Sequence, residues 1–127
     1  MTAYDLEHTY LGLDGHGGVT PTPGGAVFWQ RVDQNPLANG TLVTVIEGDA
    51  DWRHWEMHPS GDEVLVVLQG RLRILFQDEA ADTEHQLAAG ATLIIPKGIW
   101  HRATDLHAAK LLFITYGLGT GHKPVTA

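Results

Sequence analysis

The segment Trp52-Arg53-His54-Trp55-Glu56-Met57-His58 places an aromatic ring, two imidazoles and a carboxylate at alternate positions. In an extended strand successive side chains point to opposite faces, so Trp52, His54, Glu56 and His58 share one face, and three metal-ligating groups line up there. Pro59-Ser60-Gly61-Asp62 then turns the chain, and Glu63 opens the returning strand close to His58. Far along the sequence Pro96-Lys97-Gly98 makes another turn, and His101 follows it on a short strand. A site assembled from two adjacent strands and a distant third is rigid, which suits a metal ion that demands fixed angles. A second chemistry is open to Glu63: a buried carboxylate with a raised pKa acts as a general base and takes a proton from a substrate carbon. Trp52 shares its parity with His54 and is expected at the pocket mouth, whereas Trp55 and Met57 face the other way, toward core or interface.

These side chains need a scaffold of strands, and strand signals are plentiful. The runs 26–32, 41–47, 52–58, 63–69, 71–77, 91–96 and 110–116 are rich in β-branched and aromatic residues, and NG, PSGD, QG, AAG and PKG punctuate them. No window of a dozen residues shows apolar positions at helical spacing behind a cap. The pattern predicts an antiparallel all-β sandwich or barrel. VLVVL at 64–68 is apolar on both strand faces and predicts a central strand covered on both sides. The segment 12–25, with six glycines and two prolines, reads as a loop after an N-terminal arm at 3–11 that pairs with its own sheet or is exchanged with a partner. The expected division is an arm and loop over 1–25, a barrel over 26–117 and a loosely held tail over 118–127.

A chain of 127 residues has room for one core, so a single domain is expected. Fifteen Asp and Glu against eight Lys and Arg give a net charge of −7, and the basic residues are scattered, which disfavours a nucleic-acid partner. Zero cysteines remove disulfides, thiolate nucleophiles and zinc-finger sites together. With no apolar run near membrane-spanning length and no secretory pattern at the start, the expectation is a cytoplasmic protein without a membrane partner. Eight histidines equal the lysines and arginines combined. His8, His16, His85, His107 and His122 fall in predicted loops or strand ends and are read as ordinary surface histidines. Arg71 and Arg73 share a strand face that reads as solvated.

Two stretches resemble the paired motifs of the cupin family. Glu56-x-His58-x4-Glu63-x6-Gly70 is similar to the first, and Gly90-x5-Pro96-x-Gly98-x2-His101-x3-Asp105 to the second. The resemblance implies a small single-domain cupin: an antiparallel all-β jelly-roll barrel, or double-stranded β-helix, with both motif glycines at hairpin corners. It also implies metal ligands at Glu56, His58, Glu63 and His101. Two positions depart from the pattern, Glu56 where histidine is usual and Asp105 where asparagine is usual. His54, two residues before Glu56, is the reserve ligand if a bulge shifts the strand. Nitrogen and oxygen donors without sulfur suit Fe, Mn, Ni, Co or Zn. A divalent transition metal would also relieve the repulsion between Glu56 and Glu63 inside an apolar barrel. The implied function is a metal-dependent enzyme on a small molecule, with a dioxygenase favoured over an isomerase or lyase and over a non-catalytic binding module. The implied assembly is a homodimer.

Overall fold

Turn-bounded runs of Val, Ile, Leu and aromatic residues pair into β-structure wherever a neighbouring strand takes up their backbone groups. The computed structural model describes residues 2–126, and every strand pairing among them is antiparallel. The strands are β1 (Thr9–Leu13), β2 (Val19–Pro23), β3 (Thr41–Gly48), β4 (His54–Met57), β5 (Glu63–Phe76), β6 (Thr83–Ala88), β7 (Thr92–Ile95), β8 (His101–Tyr116) and β9 (Gly121–Pro124). No helix among the described residues is long and apolar enough to cross a membrane.

Two long strands join two facing sheets. The first half of β5 pairs with β7 and with the second half of β8, which continues through β3 and β1 to β2. The second half of β5 pairs with β6 and with the first half of β8, which continues through β4 to β9. Both long strands change sheet at irregularities: register shifts lie between Val67 and Arg73, and Asp105 and Ala108 of β8 carry positive φ values of 52° and 45°. The core between the sheets is one cluster containing Leu65, Val67, Leu72, Ile74, Ile95, Ala103, Leu111 and Phe113. This is the expected all-β jelly roll.

Several local expectations change. The runs 63–69 and 71–77 are one strand, because Gly70 with φ 75° forms a bulge where a hairpin corner was expected. VLVVL is central, paired on both edges, but within one chain only Leu65 and Val67 are buried, while Leu68 is exposed. The run at 26–32 forms α1 (Ala26–Gln30) and the start of a 3-10 turn rather than a strand. Phe28 and Trp29 pack on Tyr10, whose hydroxyl accepts from the Trp29 indole at 3.0 Å. Trp55 is buried within the chain, which settles it as core. The N-terminal arm carries β1, the glycine-rich loop carries β2, and the tail expected to be loose carries β9 against β4.

Candidate metal centre

β4 lies between β8 and β9, and its register puts Glu56 opposite His101 on one side and His122 on the other. His58 follows β4 by one residue, and Glu63 is the first residue of β5. The turns around them are tied together: the Gly98 amide donates to the His58 carbonyl at 2.9 Å, and the Lys97 amide to the Asp62 carboxylate at 2.9 Å. The Pro-Lys-Gly turn that delivers His101 is thereby fastened to the turn that joins His58 to Glu63.

Glu56, His58, Glu63 and His101 bring one ligand atom each to within 4.8 Å of one another. His58 Nε2 lies 2.9 Å from Glu56 Oε1 and 3.0 Å from Glu63 Oε2, and His101 Nε2 lies 3.3 Å from Glu63 Oε1. Despite these distances, His58 Nε2, His101 Nε2 and Glu63 Oε1 are buried without a hydrogen bond. The opposite ring nitrogens explain why. The Thr120 hydroxyl donates its one proton to the Gly117 carbonyl at 2.8 Å, so toward His58 Nδ1 at 2.8 Å it accepts. His101 Nδ1 faces the Ile99 carbonyl at 3.1 Å, which only accepts. Each Nδ1 is therefore the protonated nitrogen of the neutral tautomer, in which each Nε2 turns a lone pair toward carboxylate oxygens.

Four donor side chains converge on a place that a cation could occupy. Without a metal ion a proton is drawn in: burial opposes charging of His58, but Glu56 and Glu63 raise its pKa to about 9. Burial pushes Glu63 up, yet His101 and His58 hold it below the usual carboxylate range, and burial of Glu56 is likewise outweighed by His122, His54 and His58. The raised pKa on which a general-base reading of Glu63 depends is not what its surroundings produce. A metal ion fits the same place. Two ligands each about 2.0–2.2 Å from one ion and about 90–110° apart lie roughly 2.8–3.6 Å from each other, and the separations 2.9, 3.0 and 3.3 Å fall in that range.

Three of the four donors, Glu56, His58 and Glu63, line a cavity of about 770 Å³, and the fourth, His101, is completely buried against Glu63. Trp52, Ile46 and Phe113 supply apolar wall, and Trp29 of α1 and Val32 of the 3-10 turn after it also line the cavity. His54 stands at the rim, stacked on Trp52 with ring centroids 5.8 Å apart, so the reserve ligand does not join the inner four. Glu56 itself takes the position of the missing histidine. Three contributors escape sequence reasoning. Thr115 donates to Glu63 Oε2 and Thr120 orients His58, but a lone threonine carries no signal of such a role. His122 reaches Glu56 only because the tail pairs with β4.

Residues 41–115 match the family model of the Cupin domain. This chain belongs to the cupin family. A 60-residue stretch of the cupin is 42% identical to the uncharacterized protein YdbB of Bacillus subtilis (strain 168), covering 47% of this chain and about half, 48%, of that protein. Among solved structures it is similar to a cupin-2 domain containing protein from Shewanella frigidimarina NCIMB 400, with a TM-score of 0.52, 28% identity, and coverage of 61% of this chain and 71% of that one. Fe(II)-HppE, crystallised with the alternative substrate (S)-1-HPP, superposes with a TM-score of 0.51 at 24% identity over 61% of this chain and 43% of its own. That likeness is one of fold.

Thr120 is the group in this cupin whose removal isolates ring orientation from ligation. Thr120→Val keeps the side-chain shape, frees the His58 ring and is expected to weaken metal binding by about 10- to 100-fold. Equilibrium dialysis with metal analysis measures it, and an unchanged affinity would show that the threonine does not set the tautomer.

Proposed function

We propose that this cupin is a small-molecule enzyme dependent on a divalent transition metal, with a dioxygenase-type oxidation as its favoured reaction. The observation that carries the reading is the convergence of two imidazole nitrogens and two carboxylates, three of the four side chains lining a walled cavity. Glu56, His58, Glu63 and His101 would hold the ion, which when bound supplies Lewis acidity and, as Fe(II), redox reactivity toward oxygen. Thr115 and Thr120 keep the ligands aimed. Trp52 and Phe113 shield the floor from bulk water, which strengthens every charge interaction there.

The lining also speaks to the substrate. Its charged members are Asp33, Glu56 and Glu63, with neither lysine nor arginine among them. A dianionic substrate would find no guanidinium to pair with and, with Glu56 and Glu63 neutralising the ion, the surplus carboxylate of Asp33 to repel it. The apolar wall and acidic floor favour a neutral molecule with an aromatic or aliphatic body and hydroxyl or carbonyl oxygens. The homodimer belongs to the same proposal, and the exposed Leu68 and Ile94 on the outer face of β5 and β7 support it.

Anaerobic loading with Fe(II), followed by oxygen-electrode assays with neutral aromatic diols and diketones beside dicarboxylates, tests the reading. Oxygen uptake with the neutral compounds is expected. Conversion that needs no oxygen and persists with Zn would replace oxidation by isomerase or lyase chemistry. A compound that raises the melting temperature and is recovered unchanged would make the protein a binding module.

A further inference from the structure

Glu56 does not spend both of its oxygens on the inner four. Oε1 faces His58, while Oε2 faces outward to His122 Nε2 at 3.6 Å and His54 Nε2 at 3.9 Å. The strand geometry produces this convergence: His54 and Glu56 are two apart on one face of β4, and His122 is the direct cross-strand neighbour of Glu56 on β9. The three ligand atoms lie within 4.8 Å of one another. The histidine rings meet edge-on with centroids 5.2 Å apart, and Trp52 stacked on His54 limits its swing.

Hydrogen bonding does not account for the arrangement, since both separations exceed the reach of an N–H···O bond. They do approach the separation of two ligands on one ion, roughly 2.8–3.6 Å, with one value at its upper limit and the other a few tenths of an ångström beyond. Both histidines are half exposed at the cavity rim, where a small rotation about χ2 closes that gap and solvent can complete a coordination shell.

We propose that His54, Glu56 and His122 form a second divalent-metal site at the cavity rim, joined to the inner site by the bridging carboxylate of Glu56. This explains why a carboxylate occupies the first-motif position: a neutral imidazole keeps a proton on its second nitrogen and serves one ion, whereas a carboxylate presents one oxygen to each site. Charge sets the order of filling. Glu56 and Glu63 together neutralise one divalent ion, so the inner ion binds first and tightly, and the rim ion binds more weakly because it shares an anion already in use. A ligand that reaches both ions would be bound through oxygen atoms at the cavity entrance. The bridging role rests on the inner site proposed above, whereas the rim site can be measured separately.

The experiment is a titration of untagged, chelator-stripped full-length protein with Mn(II), read as ions per chain by equilibrium dialysis and metal analysis and by electron paramagnetic resonance. Two ions per chain in a tight and a weaker step are expected, with an exchange-coupled Mn(II) signal at full loading. His54→Ala and His122→Ala, both at exposed positions, should each weaken the second step more than tenfold, abolish the coupled signal and leave the first step intact. His101→Ala should remove the tight step and keep the weak one. One ion per chain, unaffected by His54→Ala or His122→Ala and lost in His101→Ala, overturns the rim site and leaves the inner one standing. One ion lost in His54→Ala or His122→Ala and kept in His101→Ala upholds the rim site and overturns the inner reading. No binding overturns both.

Discussion

His101→Ala is expected to strip the tightly held metal ion from the protein. His101 is completely buried, and its Nε2 faces Glu63 Oε1 with nothing else to pair with. Deleting the ring removes one of two nitrogen ligands. Loss of a group that merely orients a ligand costs about 10- to 100-fold in affinity, so loss of the ligand itself should exceed about 100-fold. Metal analysis of protein purified without a histidine tag reads this directly, and full occupancy after dialysis would sink the assignment. The same change should appear in stability. An ion at about 1,000 times its Kd stabilises the folded state by about 4 kcal/mol, which for a chain of this size is roughly 15 °C in Tm. Chelation should lower the melting temperature of the parent protein by that order and leave His101→Ala unmoved. A cooperative melt of the variant shows that it is folded.

Gly70→Ala should destabilise the fold by more than about 3 kcal/mol, against about 1 kcal/mol for Gly90→Ala. Both glycines belong to the cupin motifs and both have positive φ, 75° and 92°, where a side chain costs about 1–2 kcal/mol. Their surroundings differ. A Cβ at Gly90 meets nothing within 4 Å, whereas at Gly70 it would lie 2.3 Å from the His107 carbonyl oxygen and 2.4 Å from that of Ala108. Those atoms belong to the bend of β8, where Asp105 and Ala108 already hold positive φ and the Asp51 and Asp49 carboxylates accept from their amides. The bend cannot retreat without giving up these bonds, and the turn where β5 and β8 change sheet would open. Urea denaturation of the two variants measures the difference. Equal losses would show that the backbones do not approach as closely as described.

Part of the inner site was legible in the sequence because it depends on short-range order. Strand parity puts Glu56 and His58 on one face and a four-residue turn returns Glu63 beside them, whereas His101 was grouped with them by the resemblance to the cupin motifs and meets Glu56 only through the β4–β8 pairing. The rim was not legible for the opposite reason. His122 lies in GHKP, a stretch with no strand pattern, and becomes a neighbour of Glu56 only through the β4–β9 pairing. The run at 26–32 misleads in the same way: its composition suits a strand, but it forms a helical turn that buries Phe28 against the distant Tyr10. Gly70 shows the limit of turn signals, since a glycine with positive φ ends a hairpin in one setting and bulges a continuous strand in another.

What local chemistry dictated here is therefore the class of fold, the grouping of Glu56, His58 and Glu63 and the absence of sulfur from the site. Long-range packing dictated which nitrogen of His58 is free, because Thr120, 62 residues away, is brought to its Nδ1 by a tertiary contact, whereas the Ile99 carbonyl that faces His101 Nδ1 is a local neighbour. It also dictated that Glu56 faces two sets of donors at once. Side-chain alternation is a property of a single strand and can be read along it; the partner across the sheet is set by register, which is a property of the whole barrel.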